Sequence, residues 1–260
     1  MTRDRPGHAI NLVMLPQMLP ERLGQHGRQA PLRNQLKEES MSNSNQFIFG
    51  YGSLVESQSR ARTSPSALYA FPANVAGIER GWFDQVGGVS LSTTYLGAVP
   101  DPDSNCNGVI FQVSQQQLDA FDQRETGYDR ERIDRNNITM LNGSKSAPEG
   151  DIWFYANKEK RYASPECPIV QSYVDICLNG CLELEATYPM AKEAGFAETF
   201  LKTCSNWSKY WVNDRIYPRR AFIYVPNASR IDQLIQTVLG DDIFSSIEIE
   251  PASWERSEAK

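Results

Sequence analysis

The feature that most constrains this chain is an apolar segment, residues 47–54, that ends abruptly in glycines. It reads Phe-Ile-Phe-Gly-Tyr-Gly-Ser-Leu. The aromatic and β-branched residues from Phe47 to Phe49 predict a buried β-strand, which Gly50 and Gly52 bring to an end. Glycine accepts positive φ angles and lets a ligand approach the main chain closely. The Gly-x-Gly-Ser turn therefore predicts a concavity in which backbone N–H groups bind an anion such as a carboxylate.

Charge and hydropathy exclude two classes of partner. The 260 residues carry a formal net charge of -6, with a pI near 5.1, whereas nucleic acids and anionic membrane surfaces bind basic patches. No apolar stretch approaches the roughly 20 residues that span a bilayer. We therefore expect neither a nucleic acid nor a membrane as a partner. The oligomeric state is left open by the sequence.

The five cysteines predict reduced thiols rather than disulfides. Their number is odd, and no secretory signal is recognised, which is typical of a cytoplasmic protein. Cys177 and Cys181 would share one face of a helix, but no further ligands at zinc spacing accompany them. We expect small buried side chains at Cys106, Cys167, Cys177, Cys181 and Cys204.

Histidine is scarce, and its placement restricts the possible chemistry. His8 and His26 are the only two, and both precede the predicted folded core. Ser-His, Cys-His and His-metal mechanisms all need a positioned imidazole. Acid and base catalysis would then fall to carboxylates, lysines or tyrosines.

The chain divides into three parts by composition. Residues 1–45 mix Pro, Gln, Arg and Asn, which predicts a disordered leader or an upstream extension of the reading frame, with Met41 as the alternative start. Mixed α and β patterns follow to about residue 180, and residues 181–260 are mostly helical by pattern. Strands are predicted at 47–49, 75–78, 92–96, 108–113, 133–140, 152–155 and 221–225, and helices at 114–124, from 168 onward, at 190–212 and at 229–239.

The helix at 114–124 places a carboxylate at its end. Ser114 and Gln117 form a capping box, and the pattern breaks near Gly127. Glu125 would then lie at the helix C-terminus, where the helix dipole raises the pKa of a carboxyl group and suits it to proton transfer. The alternative is a surface glutamate paired with an arginine, the candidates being Arg124, Arg130 and Arg132.

These two segments together resemble the γ-glutamylcyclotransferase superfamily. The resemblance rests on a first strand that ends in Phe-Gly-Tyr-Gly-Ser-Leu and on a later helix that ends in Asp-x-Arg-Glu, followed by Gly-Tyr. It covers roughly residues 46–180. The superfamily contains γ-glutamylcyclotransferases, γ-glutamylamine cyclotransferases and ChaC-type enzymes that degrade glutathione.

The resemblance implies a fold and a site. The fold is α+β, a small mixed β-barrel, closed or nearly closed, that is surrounded by helices; the barrel domain would span residues 46–180, with residues 181–260 packed on it as a helical extension. Glu125 matches the catalytic glutamate of the family. The substrate-binding residues would be Tyr51, Gly52, Ser53 and Leu54, with Tyr128 as an aromatic residue near the site.

The implied chemistry fits the residues that are present. A γ-glutamyl compound carries its own nucleophile, the α-amine, whose attack on the γ-carbonyl closes 5-oxoproline and releases an amino acid, a dipeptide or an amine. This cyclisation needs no metal or cofactor, and one carboxyl group can carry out both proton transfers. The alternatives are a non-catalytic carboxylate-binding module of the same fold, and an interaction protein that uses its helical C-terminal third. The identity of the γ-glutamyl substrate stays open.

Overall fold

The computed structural model describes residues 45–63, 69–87, 92–125, 127–219 and 226–249. The predicted leader, both histidines and the strand predicted at 221–225 lie outside these residues. The strands, β1 to β10 in order, are Gln46–Gly50, Ala70–Val86, Thr93–Val113, Tyr128–Arg132, Ile138–Met140, Asp151–Asn157, Ile169–Val170, Cys204–Ser205, Trp211–Asn213 and Glu248–Ile249. The α-helices of the described residues, α1 to α7, are Ser57–Thr63, Gln115–Arg124, Gln171–Thr187, Pro189–Glu193, Phe196–Thr203, Ala228–Leu239 and Asp241–Ser245.

The strands form one ten-stranded mixed sheet. Its path is β10-β9-β7-β3-β1-β6-β4, and β2 pairs with β3, β5 and β8. This confirms the predicted α+β fold with helices around a large sheet. The sheet is not strictly closed, because its path ends at β4 on one side and at β10 on the other. No described helix is long and apolar enough to cross a membrane.

The first strand is central, which explains its uninterrupted apolar sequence. β1 pairs antiparallel with β3 and parallel with β6. Phe47 and Phe49 pack into one buried cluster together with Val75 and Ile152, whereas Ile48 packs into a second cluster that includes the residues of α3. A strand that is buried on both faces has no polar face, so its side chains do not alternate in hydropathy.

The structure corrects the predicted length of β2 and β3. The sequence predicts three short strands, at 75–78, 92–96 and 108–113, with the polar residues 101–105 between the last two, but β2 and β3 pair as one long antiparallel hairpin. The polar stretch stays within β3, where Asp101 accepts a hydrogen bond from the Ser104 hydroxyl at 2.6 Å. Two register shifts interrupt the hairpin, and one of them falls between Trp82 and Asp84. Such bulges bend a strand and redirect its side chains.

The helix predicted at 190–212 is also corrected. Helix α5 ends at Thr203, and the chain continues into β8 and β9. Asn206 adopts a φ of 61°, a left-handed conformation that ends regular structure and that asparagine tolerates. Trp207 and Trp211 stack with ring centroids 5.0 Å apart, and Trp211 lies fully buried in β9. Pairing of β9 with β7 and β10 outweighs the local helical pattern.

The expectation for the cysteines is confirmed. All five are free, and all five are buried. Cys177 and Cys181 lie in α3 within the larger apolar cluster, where a thiol packs as a small hydrophobic group.

An ion triad, of which Asp175 is the buried member, joins helix α6 to α3. Arg215, in the turn after β9, donates hydrogen bonds to both oxygens of Asp175 and to both oxygens of Asp232, all at 2.8 Å. Gln171 adds a donor to Asp175 at 2.9 Å. The side chain of Asp175 is 0% exposed. Burial raises the pKa of the Asp175 carboxyl, while the hydrogen bonds and the charge of Arg215 act in the opposite direction.

Removal of the arginine should therefore destabilise the protein in a pH-dependent way. In Arg215→Met the opposing effect on the pKa of Asp175 is lost, so that pKa rises further above the unfolded value of about 3.9. The folded state then binds more protons than the unfolded state, and stability falls as the pH rises above that value. We expect a loss of about 3–5 kcal/mol near neutral pH and a smaller loss near about pH 4. Denaturant unfolding at the two pH values measures this difference.

A surface pair is the matched control. Lys202 and Glu198 form an exposed i,i+4 ion pair on α5. Lys202→Met should change the free energy of unfolding by less than about 1 kcal/mol at either pH. An Arg215→Met protein whose deficit is equal at both pH values would contradict the role given to the Asp175 charge.

Candidate active site

The loop after β1 is held tightly against helix α3. Gly52 is buried, and a Cβ atom at this position would lie 2.7 Å from the Tyr173 hydroxyl oxygen. At Gly50, an added Cβ would lie 2.8 Å from the Cβ of Leu54. The φ of Gly52 is −123°, so the positive φ expected from the sequence is wrong. Lack of space beside Tyr173 is a reason for glycine here.

A single 3-10 turn, Ser53–Val55, follows the glycines. The Val55 N–H donates to the Gly52 carbonyl at 3.0 Å. The first N–H groups of a helical turn have no acceptor within the turn. Ser53 and Leu54 occupy these positions, and both line the cavity beside the loop. The N–H groups of Ser53 and Leu54 are therefore the candidate main-chain donors to a small ligand.

This cavity has a volume of about 250 Å³. It brings together all six residues that the sequence proposes for the site, although they come from two segments more than 70 positions apart in the chain. The proposed residues are Tyr51, Gly52, Ser53, Leu54, Glu125 and Tyr128. The other lining residues are Ile48, Phe49, Gly50, Asp84, Val86, Tyr95, Leu96, Tyr155 and Tyr173.

Helix α2 carries Glu125 into the cavity. The Ser114 hydroxyl accepts from the Gln117 N–H at 3.2 Å, and the Gln117 side chain accepts from the Ser114 N–H at 2.8 Å, so the predicted capping box is present. Leu118 and Phe121 bury the inner face of the helix. Glu125 is the C-cap residue, as the sequence predicts, and its N–H donates to the Phe121 carbonyl at 2.8 Å.

Two of the arginines considered as partners of Glu125 bind other carboxylates. Arg130 donates to Asp122 at 2.7 Å, and Arg132 pairs with Asp151 at 2.5 Å. Arg124 has no described side chain. These pairings weaken the interpretation of Glu125 as a surface ion-pair partner of Arg130 or Arg132.

A second carboxylate, Asp84, lines the same cavity and was not found from the sequence. Its side chain accepts a hydrogen bond from the Tyr128 hydroxyl at 2.6 Å and from the Asn157 amide at 2.9 Å. The Asn157 side-chain oxygen accepts in turn from the Ala98 N–H at 2.9 Å. These hydrogen bonds join residues of β2, β3, β4 and β6 around one buried carboxylate. They also fix the direction of the Tyr128 hydroxyl.

The Tyr51 hydroxyl is a neutral hydrogen-bond donor with a fixed direction. Its hydroxyl donates to the Tyr155 carbonyl at 2.7 Å. Burial raises the pKa of Tyr51 well above its ordinary value, and the nearby Tyr128, Asp84 and Glu125 raise it further. Tyr51 therefore stays protonated at physiological pH and holds the glycine loop against β6.

Of two further cavities, one borders the candidate site and the other does not. A cavity of about 480 Å³ borders the first one and shares Asp84, Val86 and Tyr128 with it; Lys158 and Arg161 contribute cationic side chains to its wall. A third, of about 780 Å³, lies around residues 132–138 and 145–147 and contains none of the proposed site residues.

Comparison with known proteins identifies the family. Residues 48–172 match the family model described as "Gamma-glutamyl cyclotransferase, AIG2-like". This part of the chain belongs to the γ-glutamylcyclotransferase superfamily, which confirms the resemblance seen in the sequence. A search of curated protein sequences found no match.

Solved structures with a related fold are distant. A structure titled "Gamma-glutamyl cyclotransferase" has 16% identity and a TM-score of 0.45, covering 58% of this chain and 86% of its own. An uncharacterised protein from Homo sapiens has 15% identity and a TM-score of 0.45, covering 59% and 88%. A yeast γ-glutamyl cyclotransferase specific to glutathione has 15% identity and a TM-score of 0.38, covering 63% and 98%.

Proposed function

We propose that this protein is a γ-glutamylcyclotransferase that converts the γ-glutamyl group of a small compound into 5-oxoproline and releases an amino acid, a dipeptide or an amine. The observation that carries the proposal is that Glu125 and the Ser53 loop line one cavity. Membership of residues 48–172 in the superfamily supports the same activity. A pure interaction protein would have no need of a carboxylate beside an anion-binding loop.

The proposed reaction uses the residues of the cavity in a simple sequence. The main chain of Ser53 and Leu54 binds the α-carboxylate of the substrate and folds the γ-glutamyl chain back on itself. Glu125 takes a proton from the α-ammonium, and the free amine attacks the γ-carbonyl carbon. As the bond from that carbon to the leaving nitrogen breaks, Glu125 gives this proton to the leaving nitrogen. Glu125 then takes the second proton, which the ring nitrogen loses as it becomes the lactam N–H, and passes it to the released amine, which departs as an ammonium. The acceleration of the reaction comes from the positioning of the substrate and from general acid–base catalysis.

The neighbouring residues complete the proposal. Tyr128, oriented by Asp84, faces the reacting nitrogen atoms, and the bordering cavity receives the leaving group. We further propose that residues 46–180 form the catalytic domain and that residues 181–260 pack on it. Five buried free thiols support a reducing compartment such as the cytoplasm.

A substrate panel tests the proposal directly. We expect at least one of a γ-glutamyl amino acid, glutathione and a γ-glutamylamine to release 5-oxoproline, detected by mass spectrometry. Two matched compounds are controls: an N-acetylated γ-glutamyl compound has no nucleophilic amine, and a β-aspartyl compound would have to close a strained four-membered ring. Neither should react. Absence of 5-oxoproline from every substrate would leave the carboxylate-binding module as the remaining function.

A further inference from the structure

A buried charge lies behind the loop that follows β1, residues 50–54, which is called the substrate loop below. Arg80, on β2, is 0% exposed. Burial of a guanidinium group is costly unless its N–H groups are all bonded. Yet none of the carboxylates in the described parts of the chain pairs with Arg80. Its charge is therefore retained in the interior without a counter-ion among the described residues.

The guanidinium is held by neutral acceptors instead. It donates to the Tyr51 carbonyl at 3.3 Å, to the Phe200 carbonyl at 2.8 Å and to the Thr203 hydroxyl at 2.7 Å. The Asn107 side-chain oxygen and the Cys204 sulfur accept at 3.1 Å each, and the Asn107 carbonyl accepts as well. The guanidinium also lies 3.7 Å from the centre of the Phe200 ring. Three of these hydrogen bonds, and the ring contact, come from residues beyond the family match, in α5 and β8.

The surrounding thiols do not neutralise this charge. Burial raises the pKa of Cys106 to about 12 although Arg80 acts in the opposite direction, and burial also raises the pKa of Cys181 and of Cys204. The three thiols, which come from β3, α3 and β8, are therefore neutral at physiological pH. The Tyr51 hydroxyl, whose residue binds Arg80 through its backbone carbonyl, is neutral too, because burial raises its pKa.

An uncompensated charge in a low-dielectric interior acts over a longer distance than one in water. The Tyr51 carbonyl that Arg80 binds belongs to the loop that lines the cavity. We propose that Arg80 is a positioning residue with an electrostatic role: it fixes the substrate loop and provides the positive potential that favours an α-carboxylate in the cavity. This inference rests on the proposed function, because it takes the γ-glutamyl carboxylate as the anion.

Two ligands of equal shape separate the electrostatic role from a structural one. 5-Oxoproline, the expected product, carries a carboxylate, whereas 5-oxoprolinamide has a neutral amide in its place. In Arg80→Met we expect the affinity for 5-oxoproline, measured by calorimetry or NMR titration, to fall about tenfold or more. The affinity for the amide should change by less than about threefold. Equal losses for both ligands would show a structural role only and overturn the proposal.

Arg135→Met is the matched control. Arg135 is also an arginine with a hydrogen bond to a backbone carbonyl, that of Ala147, but it lies outside the cavity. This variant removes the same unit of charge, and the ratio of the two affinities should equal that of the wild type. If the ratio of the two affinities fell as much in Arg135→Met as in Arg80→Met, the effect would be due to the net charge of the protein, and the proposal would be overturned.

A second variant keeps the test decisive if Arg80→Met does not fold. A lysine at this position carries the charge, but burial lowers the pKa of an amine, whereas arginine stays charged. In Arg80→Lys the preference for 5-oxoproline over the amide should decrease between about pH 6 and about pH 9, while the wild-type preference stays constant. A preference in Arg80→Lys that does not change with pH would overturn the inference. Failure of the proposed function is distinct, because it is measured on the wild type alone: no γ-glutamyl substrate of the panel would then release 5-oxoproline, whatever the two variants bind.

Discussion

Glu125→Gln should abolish most of the turnover while leaving substrate binding nearly intact. Glutamine keeps the size and shape of glutamate but cannot accept a proton at the same oxygen. General acid–base groups contribute about a hundred- to ten-thousand-fold in rate, so we expect kcat on the best substrate to fall by at least about a hundredfold. The measurement is the initial rate of 5-oxoproline release.

Binding should separate from catalysis in this variant. The substrate contacts that we assign to the loop, at Ser53 and Leu54, do not involve the Glu125 side chain. A dissociation constant within about threefold of the wild type, together with the loss in kcat, is the pattern expected of a group that acts mainly in the transition state. Product binding measured by calorimetry gives this constant without turnover.

Substitution of two other carboxylates tests whether the loss of rate is specific to Glu125. Glu131 lies on the exposed face of β4, so Glu131→Gln removes the same charge outside the cavity and should leave the rate unchanged. Asp84 lies inside the cavity. If Glu125→Gln keeps activity within about tenfold of the wild type and Asp84→Asn loses it, the proton-transfer role belongs to Asp84 and the proposed mechanism is wrong.

The local part of the fold was predictable from the sequence because its signals are local. The apolar run at 47–49 forms β1, and Ser114 with Gln117 forms the capping box of α2. The helix predicted at 229–239 is α6, Ala228–Leu239. Each of these depends on residues within about four positions of one another, a distance over which caps and periodicity act.

The long hairpin of β2 and β3 was not predictable in the same way. Pro72, Pro100 and Pro102 interrupt its pattern, and the polar stretch at 101–105 is typical of a turn. Pairing over most of the hairpin, from Ala70 with Phe111 to Val86 with Thr93, holds this stretch in a strand. Such pairing depends on residues distant in sequence, which a local pattern does not contain.

The candidate site, like the fold, was predictable from the sequence only where its signals are local. The glycine loop and Glu125 were identified through motifs, but Asp84, Tyr173 and Arg80 were not. Asp84 follows the apolar pair Trp82 and Phe83 in the sequence, and a charged residue in a buried strand is the one signal that could have drawn attention to it. Tyr173 reads as an ordinary core residue of a helix stripe, since only the folded structure places its hydroxyl beside Gly52.

Gly52→Val should eliminate substrate binding while the sheet remains folded. The added Cβ would lie 2.7 Å from the Tyr173 hydroxyl oxygen and 3.8 Å from the Cβ of Leu96. The Tyr173 ring cannot move aside easily, because it packs against Trp82 and Tyr95 with centroids 6.0 Å and 4.6 Å away. The loop must shift instead, and its main-chain donors move with it. We expect no measurable turnover and a loss of stability of about 1–3 kcal/mol, as is usual for overpacking.

A double variant shows whether this contact is the cause. The atom closest to the added Cβ is the hydroxyl oxygen of Tyr173, and the next atom of that ring is 3.9 Å away. Tyr173→Phe removes only the hydroxyl, so Gly52→Ala combined with Tyr173→Phe should bind product more tightly than Gly52→Ala alone. A coupling of at least about 1 kcal/mol in this double-mutant cycle is expected for residues in contact. If the two substitutions are additive, the contact with Tyr173 is not the cause of the loss. If Gly52→Val turns over a γ-glutamyl substrate at the wild-type rate, the loop is not the anion site.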